Sequence, residues 1–124
     1  MNRDRSPQRA ERIDISIYYD IILPYMNIHN ILKALANEKR LQIVNWLKEP
    51  GKHFSSTHCD VTKDGVCVGL IEQKTGLSQS TVSHYLLKLQ QAGLISMQRD
   101  GQWTYCKLNK ACLEKFIQEM KKGI

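Results

Sequence analysis

Beyond residue 12 the spacing of apolar side chains changes character several times, and each change marks an expected element. Residues 1–12 (MNRDRSPQRAER) are charged, contain Pro7 and offer almost no apolar surface, so they read as a flexible tail. Ile13, Ile15, Ile17, Tyr18, Ile21 and Ile22 then open an apolar stretch that Pro24 interrupts, which predicts a short helix, a break, and a second helix over 27–36. An apolar segment in that position either packs on its own domain or covers a second subunit. Asn37 stands where a helix cap belongs, ahead of Leu41, Ile43, Val44 and Leu47 at helical spacing, and Pro50-Gly51 ends that helix. From Lys52 to Gly65 the text is irregular and closes on the turn dipeptide Asp64-Gly65. A loop of that length is functional or mobile more often than idle.

The most informative pattern begins at Val66. Leu70, Ile71 and Leu77 mark a short helix that stops at Thr75-Gly76, where glycine suits a left-handed exit. Ser78 then caps a second helix, with Thr81 at the third position and Val82, Tyr85, Leu86 and Leu89 as its buried stripe, until Gly93 ends it. Helix, glycine turn, helix is the helix-turn-helix pattern. Residues 94–99 (LISMQR) and 103–108 (WTYCKL) read as strands on either side of the hairpin signal Asp100-Gly101. A two-stranded ribbon placed there is a wing. A last helix from Asn109 carries Leu113, Phe116, Ile117 and Met120 on one face. The expected class is therefore mainly α with a two-stranded β-wing, a winged helix-turn-helix forming one domain over residues 13–124.

Charge adds a partner to this picture. The chain of 124 residues has a formal net charge of +6, which suits a polyanion because lysine and arginine on phosphates release condensed counterions. The second helix of the motif presents Ser78, Gln79, Ser80, Thr81, Ser83, His84 and Lys88 away from its apolar stripe. Hydroxyls near a helix start allow close approach to a phosphate, an amide can read an adenine edge, and Lys88 suits a phosphate. Arg99 and Gln102 stand at the wing tip, where an arginine reaches a minor groove or a backbone. Any one of these residues alone is also what a solvated helix face or a guarded strand edge would show. No apolar run approaches the ~20 residues that cross a bilayer, and the amino terminus has no apolar core after its basic residues, so a cytoplasmic protein is expected. An enzyme is not expected: a nucleophile elbow, a Gly-rich phosphate loop and a pocketed carboxylate pair are all missing.

Three stretches, LKALANEKRLQIVNWL (32–47), GLSQSTVSHYLLKLQQAGLI (76–95) and RDGQWTYCKL (99–108), resemble the ArsR/SmtB family of winged-helix repressors. The resemblance implies a homodimer, with amino- and carboxy-terminal helices contributing to the dimer, bound to a palindromic operator on double-stranded DNA. It also implies release by a metal ion, a thiol-active species or another signal. The family's metal sites transfer poorly. Where many members carry Cys-Val-Cys, this chain has Cys67-Val68-Gly69, and residues 109–124 contain no Asp or His for the other known site.

What remains is a group around the long loop: His53, His58, Cys59 and Cys67. Converging thiolates and an imidazole would suit Zn(II) or another thiophilic metal. Cys59 and Cys67 could instead form a reversible disulfide, or Cys67 could be a small buried hydrophobe. Cys106 and Cys112 read as packing residues, with a dimer interface as the alternative place for Cys112. The rival to a DNA-binding regulator is a winged-helix module that binds protein without touching DNA.

Overall fold

The computed structural model describes residues 23–123. The expected tail and the short helix before Pro24 lie outside the described residues. Helix α1 (Leu23–Leu35) starts four residues earlier than the proline suggested, because Pro24 occupies its first turn. There the missing N–H has no intrahelical partner to lose and the fixed φ suits a helix, so Pro24 begins this helix and does not break it. Helix α2 (Glu38–Lys48) is capped as expected: Asn37 Oδ1 accepts a hydrogen bond from the Arg40 N–H at 3.0 Å. Ile43, Val44 and Leu47 of α2 are buried, but Leu41, expected to pack with them, is exposed. Pro50 ends α2 by starting a single helical turn, α3 (Pro50–His53).

The loop that follows is pinned at both ends. Phe54 and Val61 enter the core, and Phe54 meets the Trp46 ring edge-on at 6.0 Å. Asp60 and Asp64 organise the turn between them. Asp60 Oδ1 accepts from the Thr62 N–H at 2.9 Å, and Asp64 Oδ2 accepts from the Asp60 N–H at 2.9 Å. Lys107 Nζ, from a distant strand, donates to the Lys63 carbonyl at 2.8 Å.

One strand is absent from the sequence expectation. Val66–Cys67 forms β1, which pairs antiparallel with β3 (Trp103–Leu108) through Val66 opposite Cys106 and Cys67 opposite Tyr105. Two residues are too few to show a period-two pattern. β3 pairs on its other side with β2 (Ile95–Asp100), so the wing is the larger part of a sheet ordered β1-β3-β2. Asp100 opposite Trp103 leaves Gly101-Gln102 as the two-residue loop.

Between β1 and β2 lie α4 (Val68–Thr75) and α5 (Gln79–Gln91), and α6 (Lys110–Lys121) follows the wing. Ile71 of α4 and Val82, Leu86 and Leu89 of α5 have no solvent exposure and join Leu94 and Cys106 in one core. At ~1.5–3 kcal/mol for each fully buried aliphatic side chain, this stripe sets the rotation of α5 about its axis. Tyr85, expected among them, is half-buried at the margin. Helix α6 buries none of its residues completely, and Ile117 lies 41% exposed on it.

Candidate nucleic-acid interface

The angle between α4 and α5 is set over three residues. Gly76 lies in the left-handed region at φ 70°, and its N–H donates to the Glu72 carbonyl at 2.9 Å, closing α4. Thr75 Oγ1 donates to the same carbonyl at 3.1 Å and accepts from the Leu77 N–H at 3.2 Å. Ser78 then caps α5, its Oγ accepting from the Thr81 N–H at 3.2 Å and donating to Thr81 Oγ1 at 2.8 Å. Ser80 Oγ sits 3.3 Å from Ser78 Oγ. Ser78 and half-buried Thr81 are therefore engaged in starting the helix, whereas Gln79, Ser80, Ser83, His84 and Lys88 are exposed.

A helix turns about 100° per residue, so the buried Val82/Leu86/Leu89 stripe places Ser80, His84, Leu87 and Gln91 along the opposite, outward ridge. Gln79, Ser83 and Gln90 stand on the flank that faces the wing. Together with Arg99, Gln102 and Thr104 they line an open groove of about 660 Å³ between α5 and the ribbon. Arg99 follows Ile95 and Met97 on the inward side of β2, and beyond the core that side looks across at α5. Its Nε donates to the Gly101 carbonyl at 3.1 Å, which folds the guanidinium over the hairpin tip and leaves it exposed. The structure thus gathers Gln79, Ser83, Arg99 and Gln102 at one groove and puts Lys88 on the other flank, beside Lys33 and Arg40.

Leu87, 47% exposed on the ridge, was missed from sequence. The pair Leu86-Leu87 looks uniformly apolar until the helix phase is fixed, and the wheel through Val82 and Leu89 would have exposed it. An apolar group on such a ridge fits a thymine methyl.

The metal reading of the loop does not fit. Among the described residues, no three His, Cys, Asp or Glu side chains are grouped to hold an ion. Phe54 and Val61 draw the loop down so that the His58 ring stacks on Trp103 at 4.2 Å, with its Nδ1 3.1 Å from Ser56 Oγ. Cys59 is half-buried with its thiol 3.9 Å from the Gly65 carbonyl, Cys67 is buried in the sheet, and His53 ends α3. The His53/His58/Cys59/Cys67 grouping that the Zn(II) alternative requires is not assembled among the described residues. Cys59 and Cys67 nevertheless act on the same group: the Tyr105 hydroxyl is raised above its ordinary pKa by desolvation first, then by Cys59, Asp100 and Cys67. All four cysteines are free thiols. Burial and the neighbouring Cys67 push the Cys106 thiol up to about 12, which suits its expected packing role.

Two helices joined by a left-handed turn, followed directly by a ribbon, define a winged helix-turn-helix. Residues 65–97 match the sequence profile of the bacterial regulatory protein arsR family. The HTH-type transcriptional regulator YbzH of Bacillus subtilis is 44% identical over 95 residues, which are 76% of this chain and 95% of YbzH. A putative arsenical resistance operon repressor, ArsR2 of Halobacterium salinarum, is 32% identical over 75 residues, 60% of this chain and 53% of its own length. In solution, the homodimeric winged helix-turn-helix DNA-binding domain Mb0332 of Mycobacterium bovis superposes with a TM-score of 0.57 at 25% identity, over 77% of each chain. This chain belongs to the ArsR family of bacterial transcriptional regulators. The relatives matched are regulators and not enzymes.

Proposed function

We propose that this regulator is a homodimeric repressor that reads a palindromic operator on double-stranded DNA with α5 and the wing. The observation that carries this reading is the outward ridge of α5, polar apart from Leu87 and exposed, rotated into place by three fully buried side chains. Gln79, Ser80, Ser83 and His84 supply groups for base edges near the helix start, while Ser78 and Thr81 hold that start in shape. Arg99 and Gln102 take the wing side of the duplex. A protein with this role works in the cytoplasm beside the DNA.

A second subunit has an obvious place to dock. Apolar side chains on α6 are left partly or largely uncovered, Ile117 most of all, and α1, packed beside α6, leaves Leu32 37% exposed. The homodimeric state of the Mycobacterium bovis neighbour supports the same assembly. For the releasing signal, thiol oxidation suits the chain better than a metal, because Cys59 and Cys67 are free thiols and, among the described residues, no three His, Cys, Asp or Glu side chains gather to hold an ion.

The test is binding to a fragment of the protein's own promoter and to a scrambled duplex, for the wild type, Gln79→Ala and Arg99→Ala. Arg99→Ala is expected to weaken both complexes alike. Gln79→Ala is expected to narrow the gap between them, by ~1–3 kcal/mol for a lost bidentate base contact. Wild-type binding that ignores salt would remove the DNA reading and favour a protein partner.

A further inference from the structure

Helix α5 has two flanks, and the wing accounts for one. On the other, a groove of about 350 Å³ runs between the end of α1, the start of α2 and the end of α5, lined by Asn30, Lys33, Ala34, Arg40, Lys88 and Gln91. It contains three cations and no acid. The Lys33 and Lys88 ammonium groups are exposed and form no hydrogen bond or ion pair among the described residues. Arg40 is fixed in advance. Its Nε donates to the Ala34 carbonyl at 2.7 Å, one terminal nitrogen donates to the Lys33 carbonyl at 3.2 Å, and the guanidinium lies 5.4 Å from the Tyr85 ring centre. Its other N–H groups have no hydrogen-bond partner among the described residues.

Mutual repulsion makes three cations around one groove unfavourable in the free protein, and a polyanion relieves it. The position of the groove says which polyanion. The major groove is about 12 Å wide and a helix with its side chains about 10–12 Å across, so an inserted helix has a sugar-phosphate strand along each side. Gln91 belongs both to the outward ridge of α5 and to the lining of this groove, so the two surfaces are continuous.

We propose that Lys33, Arg40 and Lys88 grip the phosphate strand on the side of the major groove opposite the wing. This rests on the DNA-binding reading above and adds a second contact line, drawn from α1 and α2, that clamps α5 between two backbones. Arg99 holds one strand and the α1–α2 corner holds the other.

The test uses the full chain with Lys33→Gln and Lys88→Gln together, leaving Arg40 in place because it closes the end of α1. Binding to the promoter duplex and to a scrambled duplex is titrated against salt, with circular dichroism confirming that the variant melts like the wild type. Each phosphate contact removed makes the slope of log K against log salt shallower by about 0.9, so both lysines of both subunits together remove roughly 3–4. Across a fourfold rise in salt, the wild type should then lose roughly 100-fold more affinity than the variant, on both duplexes. An unchanged slope in a variant that still binds overturns the clamp and leaves the α5 reading intact. A loss of affinity that is equal at every salt concentration also overturns it, assigning the groove to a protein contact. Wild-type binding without salt dependence overturns both readings together.

Discussion

Gly65, Gly69 and Gly76 lie within a dozen residues of one another, yet replacement by alanine should affect stability with different sign and size at each. Gly76 sits at φ 70° with nothing within 4 Å of the site a Cβ would occupy, so alanine there brings backbone strain alone. That strain is about 1–2 kcal/mol, offset by about 0.4–1 kcal/mol from a stiffer unfolded chain, for a net loss near 0.5–1 kcal/mol. Gly65 adds collision to strain. At φ 103° its Cβ would lie 2.9 Å from both the Cys106 carbonyl oxygen and Lys107 Cγ, and the oxygen belongs to β3. Moving it disturbs the β1–β3 ladder, so Gly65→Ala should cost about 2–5 kcal/mol. Gly69 is the second residue of α4, and its Cβ would meet only the Cys67 sulfur at 4.0 Å. Alanine there should stabilise by about 0.5 kcal/mol through helix propensity. The assay is urea unfolding at one fixed protein concentration, since a dimer's stability depends on it. The reasoning fails if Gly76→Ala proves as harmless as Gly69→Ala, because the turn that aims α5 would then not be left-handed.

Two further outcomes follow from the core and the open face. The Cys106 thiol is raised from its ordinary 9.0 to about 12, so the folded state keeps a proton that the unfolded chain gives up. Its contribution to stability is complete below pH 9 and falls as pH climbs towards 12. By pH 10.5 the wild type should have lost about 2 kcal/mol relative to Cys106→Ala, and parallel pH profiles for the two proteins would contradict this. Ile117→Asp should turn dimer into monomer in sedimentation while leaving the helical content unchanged, and a dimer that persists would move the interface off α6.

The motif was legible because it is local. Gly76, Ser78 and the Val82/Leu86/Leu89 spacing each dictate backbone geometry within a few residues, and the structure repeats that pattern with the expected cap and turn. The wing was legible for the same reason, through Asp100-Gly101 between two alternating segments. Elements that depend on distant partners were not. β1 exists because Val66 and Cys67 find β3 some forty residues later, and no two-residue pattern announces that. The His53/His58/Cys59/Cys67 cluster looked plausible in sequence because proximity along a loop suggests convergence. In space Phe54 and Val61 anchor the loop and Trp103 takes the His58 ring. Lys33 and Arg40 carried no signal at all. They join Lys88 only because α1 and α2 pack against α5.

Amide chemical shifts of the isotope-labelled full chain, followed as a short promoter duplex is added, test the assigned surface most directly. The largest changes should fall on Gln79 to Gln91 and the Arg99–Gln102 tip, with residues of α6 nearly still. Changes concentrated on Ala111 to Gln118 instead, with Ser80, Ser83 and His84 unmoved, would contradict the account.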